Sequence, residues 1–153
     1  MVITMATDKI ALVRRDPEEV WTEGNLETID EIFAADFVLH DPSSADDSKG
    51  RDEYRAYVEA YREAFPDVEY EVEHVLAEDD TVALRYTAHG THDGEFMGLE
   101  PTGDQVSVSG MEMYRIEDEQ IAEMWTSYDA LGLFQELGVV PPLEDLGESA
   151  DPA

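Results

Sequence analysis

A carboxylate on the apolar register of a strand is the first residue of this sequence that could do chemistry. In VSVSGMEMYRI, residues 106–116, every second position from Val106 gives Val106, Val108, Gly110, Glu112, Tyr114 and Ile116, while the other register gives Ser107, Ser109, Met111, Met113 and Arg115. A strand repeats every two residues, so Glu112 shares a sheet face with Val108 and Tyr114. A carboxyl withdrawn from water holds its proton more tightly and, once ionised, is a stronger base than a surface carboxylate. Glu112 is therefore a candidate proton-transfer group. The plain alternative is an acid at the open end of the sheet, in contact with water.

Other reactive side chains form weaker patterns. His74, His89 and His92 lie along strands without the helical or hairpin spacing of metal ligands, and no metal is expected. Arg85, alone in an apolar strand, reads as an ion-pair partner for a nearby acid rather than an anion clamp. The absence of cysteine removes disulfides, thiolate zinc sites and a cysteine nucleophile together. No phosphate loop, dinucleotide fingerprint or Ser-His-Asp arrangement can be built.

Charge bounds the partners. With 38 Asp and Glu against 9 Lys and Arg, the 153 residues carry a formal charge of −29. Such a chain repels nucleic acid and anionic membranes, so neither is an expected partner. Only Lys9 and Lys49 are lysines, yet 42% of the residues are hydrophobic. An acid-rich, lysine-poor chain that still has a core fits a protein of an extreme halophile, where concentrated salt screens the repulsion. No apolar run approaches the ~18 residues of a membrane span, and no leader is evident, so a cytoplasmic protein is expected.

The elements that must hold Glu112 follow from periodicity. Ile10, Val13, Val20 and Trp21 mark an amphipathic helix interrupted at Pro17, with Asp16 placed to cap a restart. Leu26, Ile29, Ile32 and Phe33 predict a second short helix, DFVLHDP an extended piece, and Tyr54, Tyr57, Val58, Tyr61 and Phe65 a third helix. Residues 68–78, 81–92, 105–117 and 120–128 predict four strands joined mostly by short turns, hence an antiparallel meander. DALGLFQELG predicts a last helix ended by Gly138. The expected division is a disordered N-terminus at 1–7, one domain at 8–140 and an acidic, proline-containing tail at 141–153. Helices followed by a run of strands define an α+β domain with helices packed on one face of a curved sheet.

Several separated strings carry a resemblance: AFPDVEYEVEHVLAEDDTVALRYTAHGTHDGEFMGLEPTG, then MYRIEDEQIAEMW, then DALGLFQELG. In that order they resemble the SnoaL-like polyketide cyclase family, also called ester cyclases, of the nuclear transport factor two-like superfamily, over about residues 8 to 140. The resemblance implies a cone: a strongly curved antiparallel sheet wrapped around N-terminal helices and enclosing an apolar cavity. It also implies a homodimer through the outer sheet face and chemistry without a cofactor. In the family's cyclases a carboxylate base takes a proton from a carbon flanked by carbonyls, and the enolate closes a ring by aldol addition.

Carried over residue by residue, the family's catalytic aspartate falls on Thr126, which cannot act as that base. Its cavity histidine falls on Glu112, a glutamine two residues earlier on Gly110, and a cavity asparagine near His40, with one residue of play in the loop. The candidate catalytic residues are thus Glu112 and His40. The candidate substrate-binding residues are Thr126, Gly110, Tyr114, Met124, Trp21, Tyr57 and Tyr61, and His92 is expected to hold the adjacent loop. The expected function is cofactor-free proton transfer on a small apolar carbonyl compound. The alternative is a non-catalytic small-molecule binding dimer that has lost the base. A hydrolase or dehydratase would need paired acids with Arg or His around one water, of which Arg85 and Glu112 supply only part.

Overall fold

The computed structural model describes residues 5–149. Helix α1 (Ala6–Arg15) does not stop at the Asp16-Pro17 step but runs into a seven-residue π-helical segment, Asp16–Thr22. Proline cannot donate to the preceding turn, and the wider π turn accommodates it without a break. Asp16 is therefore not the cap of a restarted helix. Its side chain makes no cap bond and is fully buried. Gly24, at φ 74°, ends the segment, in a conformation that favours glycine.

The second helix, α2 (Thr28–Ile32), is shorter than its apolar pattern suggests, because Phe33 already begins strand β1 (Phe33–His40). A two-residue strand, β2 (Ser48–Lys49), precedes the long helix α3 (Gly50–Ala64). The meander follows as β3 (Glu69–Glu78), β4 (Thr81–Thr91), β5 (Gln105–Glu117) and β6 (Gln120–Tyr128), close to the expected limits. Helix α4 (Ala130–Glu136) comes next, and the acidic tail holds a short turn and helix α5 (Leu146–Ser149).

The strands form one curved, unclosed sheet in the order β2-β1-β6-β5-β4-β3. All neighbours are antiparallel except β1 and β6, which run parallel, with Leu39 beside Met124. The helices cover the inner face. There Val13, Val20, Ile29, Tyr54 and Val58 pack on Leu84, Tyr86, Tyr114 and Met124 as the main core. A second cluster, with Phe65, Phe96, Val108 and Leu133, closes the other end beneath the 92–104 loop. That loop lies against the end of α3: Asp93 and Gly94 donate their N–H groups to the Ala64 carbonyl, and a Cβ on Gly94 would stand 2.0 Å from the Glu63 carbonyl oxygen. On β5 the alternation is complete from Val106 to Tyr114, with Gly110 and Glu112 on the buried register. No helix among the described residues is long and apolar enough to cross a membrane.

Candidate active site

Glu112 sits near the middle of β5, opposite Leu84 of β4 and Thr126 of β6. It is 4% exposed. It lines an inner cavity of about 70 Å3 whose wall is largely aromatic, with Trp21, Tyr57, Tyr61, Tyr70, Tyr86 and Tyr128 among its lining. Trp21 lies 5.9 Å from the rings of both Tyr57 and Tyr61, and Tyr70 stacks on Tyr86 at 4.6 Å. Thr126, paired with Glu112 across the β5–β6 ladder, lines the same wall.

Behind Glu112 the polar contacts continue into the core. Tyr114 Oη lies 3.2 Å from Glu112 Oε1 and 2.9 Å from Asp16 Oδ2. Tyr54 donates its hydroxyl to Asp16 Oδ1 at 2.8 Å and accepts from Trp21 Nε1 at 3.0 Å. Two carboxyls are thus held in one dry cluster whose other polar members are hydroxyls and an indole N–H. Burial raises the Asp16 pKa to about 7, against the opposing pull of Tyr54 and Tyr114. Burial raises Glu112 well above the carboxylate range, and the nearby Asp16 charge pushes the same way. Burial likewise pushes up the phenols of Tyr54, Tyr57 and Tyr114, which stay neutral donors.

The candidate residues divide. Thr126, Met124, Trp21, Tyr57 and Tyr61 line the cavity with Glu112. Tyr114 does not: its ring is fully buried behind Glu112, where it links rather than lines. Gly110 offers no surface either. A Cβ there would stand 2.5 Å from Tyr86 Oη, so its missing side chain makes room for that ring.

His40 is a correction, because the structure does not bring it to Glu112. It lies on the outer face, stacked on Trp125 at 5.4 Å, with Nδ1 3.0 Å from Asp47 and Nε2 2.7 Å from Glu123. Glu123 first, and Asp47 with it, raise the His40 pKa. The inward residue at the end of β1 is its neighbour Asp41, which accepts from the Tyr57 hydroxyl at 2.8 Å and the Ser43 N–H at 2.8 Å. The register Phe37, Leu39, Asp41 carried that signal. Asp16 carried one too, lying on the buried helical stripe with Val13 and Val20, but its proximity to Pro17 read as a cap.

The remaining singled-out residues have structural settings. Arg85 is half exposed and pairs with Glu73 at 3.3 Å on the outer face. His92 is buried, accepts from the Thr102 N–H at 3.2 Å, and its backbone bonds to Gly103 and Asp104, which fastens the loop as expected.

A curved sheet folded over helices around a cavity with one enclosed acid defines a small α+β cone of the nuclear transport factor two-like kind. The profile of the SnoaL-like polyketide cyclases matches residues 11–137, and the chain belongs to that family. Among solved structures it is similar to a candidate SnoaL-like polyketide cyclase from Jannaschia sp. CCS1, at 26% identity and TM-score 0.83, covering 93% of this chain and 99% of that one. It is also similar to AclR, a candidate hydroxylase from Streptomyces galilaeus (31% identity, TM-score 0.79, 90% and 100% covered). IdmH, a candidate polyketide cyclase from Streptomyces antibioticus, matches at 32% identity and TM-score 0.75, with 86% and 99% covered. No curated protein matches the chain.

Proposed function

We propose that the chain is a cyclase-type enzyme that moves a proton on a small, apolar, carbonyl-containing compound, with Glu112 exchanging the proton. The observation that carries this reading is an enclosed glutamate on the wall of an aromatic cavity. Removing a proton beside a carbonyl leaves an enolate, which needs a base of matched strength, a donor for its oxygen and exclusion of water. Glu112 is the base, the Thr126 hydroxyl beside it is a donor, and the aromatic wall keeps water out. The family's activity and the neighbours named cyclase or hydroxylase support the class, not a particular substrate.

A second reading rests on the resemblance. By the resemblance, the catalytic aspartate of the family's cyclases falls on Thr126, which favours a binding protein that keeps the pocket without the chemistry. The hydrolase alternative is the poorer one, because Arg85 faces away from Glu112.

The two readings separate on one variant. Native mass spectrometry of gently extracted protein identifies a co-purified ligand, and Glu112→Gln keeps the shape while removing the basicity. Turnover of that compound should fall ~10²–10⁴-fold, the range typical of a lost general base, with binding retained. Equal turnover by the variant would mean that Glu112 is structural, and turnover by neither protein favours the binding protein.

A further inference from the structure

The buried cluster holds one more carboxyl than a single-base proton transfer requires. Asp16 lines no part of the cavity, yet it is joined to Glu112 through one hydroxyl. Tyr114 Oη is within hydrogen-bond distance of both carboxyls, at 2.9 Å and 3.2 Å, but it has only one hydrogen to donate. The shorter contact is to Asp16, which also accepts from Tyr54; the Tyr54 oxygen in turn accepts from Trp21. Asp16 is thereby satisfied as a carboxylate with two donors. Glu112 Oε1 then faces a lone pair of Tyr114, and that contact is a hydrogen bond only if Glu112 carries the hydrogen.

We propose that Glu112, Tyr114 and Asp16 form a relay in which Glu112 is the resting acid and Asp16 the resting carboxylate, so that Asp16 holds the charge that a substrate proton neutralises. The proposal rests on the proton-transfer reading of the site. In the step, the substrate C–H bond breaks and its hydrogen joins Glu112 Oε2. The hydrogen on Glu112 Oε1 passes to Tyr114 Oη, and the one Tyr114 held passes to Asp16 Oδ2. Three O–H bonds form, while one C–H and two O–H bonds break. The C–H electron pair stays on the substrate as the enolate, so the negative charge moves from Asp16 to the substrate. The cavity itself never has to hold a free carboxylate against its aromatic wall, which would be costly.

The surroundings fit that order of ionisation. The titratable groups around the pair are Tyr54 from α3, Tyr70 from β3, Tyr86 from β4, Tyr114 from β5 and, after β1, Asp41. Asp16, with two donors, ionises at about 7, while burial and then the Asp16 charge push Glu112 up from its ordinary value. Asp16 acts through Tyr114 and Glu112 and is a positioning residue, not a group that touches substrate.

The test needs no substrate. The full chain, labelled with 13C at its aspartate or glutamate carboxyls, is followed by infrared difference spectroscopy from acid to alkaline pH. Wild type should keep a protonated-glutamate band at neutral pH that Glu112→Gln removes. Tyr114→Phe, which keeps the ring, should shift that band because Glu112 loses its acceptor. Asp16→Asn should remove the aspartate step near pH 7. An ionised Glu112 in wild type at neutral pH, or a band indifferent to Tyr114→Phe, overturns the relay. If Asp16→Asn fails to fold, the wild-type and Tyr114→Phe spectra decide alone. Loss of turnover in Glu112→Gln without the protonated band rejects the relay and leaves a single base.

Discussion

At the scale of the residue, two carboxyls buried together without a cation bind protons more tightly in the folded chain than in the unfolded one. An unfolded aspartate ionises near pH 3.9, and Asp16 in the fold at about 7. Between those values the folded chain holds the extra proton, so Asp16's contribution to stability is complete below the unfolded pKa and is lost as pH rises through about 7. Burial raises Glu112 too, so its contribution has the same sign. Glu123, held low by His40 and Arg115, has the opposite sign, contributing above the unfolded pKa, but it is exposed to solvent screening. Asp16→Asn should therefore flatten the fall of the thermal midpoint between about pH 4 and 7; an unchanged slope would show that Asp16 titrates normally. Glu112 was legible in the sequence because strand alternation assigns a face without knowledge of partners. Asp16 and Asp41 were harder to read, since in a chain this acidic an aspartate beside a proline or in a polar loop looks like a cap or a turn. The one-residue choice between His40 and Asp41 also reverses the face of the sheet.

At the scale of the element, strand β5 is a surface on which side-chain size is fitted across strands. Gly110 lies opposite Tyr86 on β4, and the Tyr86 ring occupies the space a Cβ would need. Gly110→Ala should push that ring toward the cavity and destabilise the fold by about 1–3 kcal/mol, the usual range for overpacking a core. Urea unfolding checks it, and a midpoint equal to wild type would mean the strand pair yields more easily than its contacts suggest. The four meander strands were readable because each pairs mainly with its sequence neighbour and alternates cleanly. The parallel pairing of β1 with β6 was not, because its partners, such as Leu39 and Met124, are far apart in sequence and no local pattern joins them. The continuous passage from α1 into the π-helical segment was missed for a related reason: a proline marks where an α-helix cannot continue, and says little about a wider turn that can.

At the scale of the molecule, charge and the outer sheet face act together. Met111, Met113, Leu76 and Trp125 are all exposed on that face, an apolar patch that suits a second copy of the chain. Two copies each carrying −29 repel one another until salt screens them. Sedimentation should find a dimer in molar KCl that weakens at low ionic strength, and Trp125→Asp should remain monomeric at both. A wild-type monomer in molar KCl would reject the pairing. The buried polar cluster has a different consequence, for the order of folding. Asp16 and Tyr114 are 98 residues apart, and Trp21 and Tyr54 33 apart, so no segment can close the cluster by itself. The β3–β6 hairpins form from near neighbours, whereas drying Glu112 must wait for the N-terminal helices to dock. Trp21, whose indole N–H binds inside the cluster, is therefore expected to report the docking of the helices by its fluorescence, in a Trp125→Phe background and separately from the appearance of sheet.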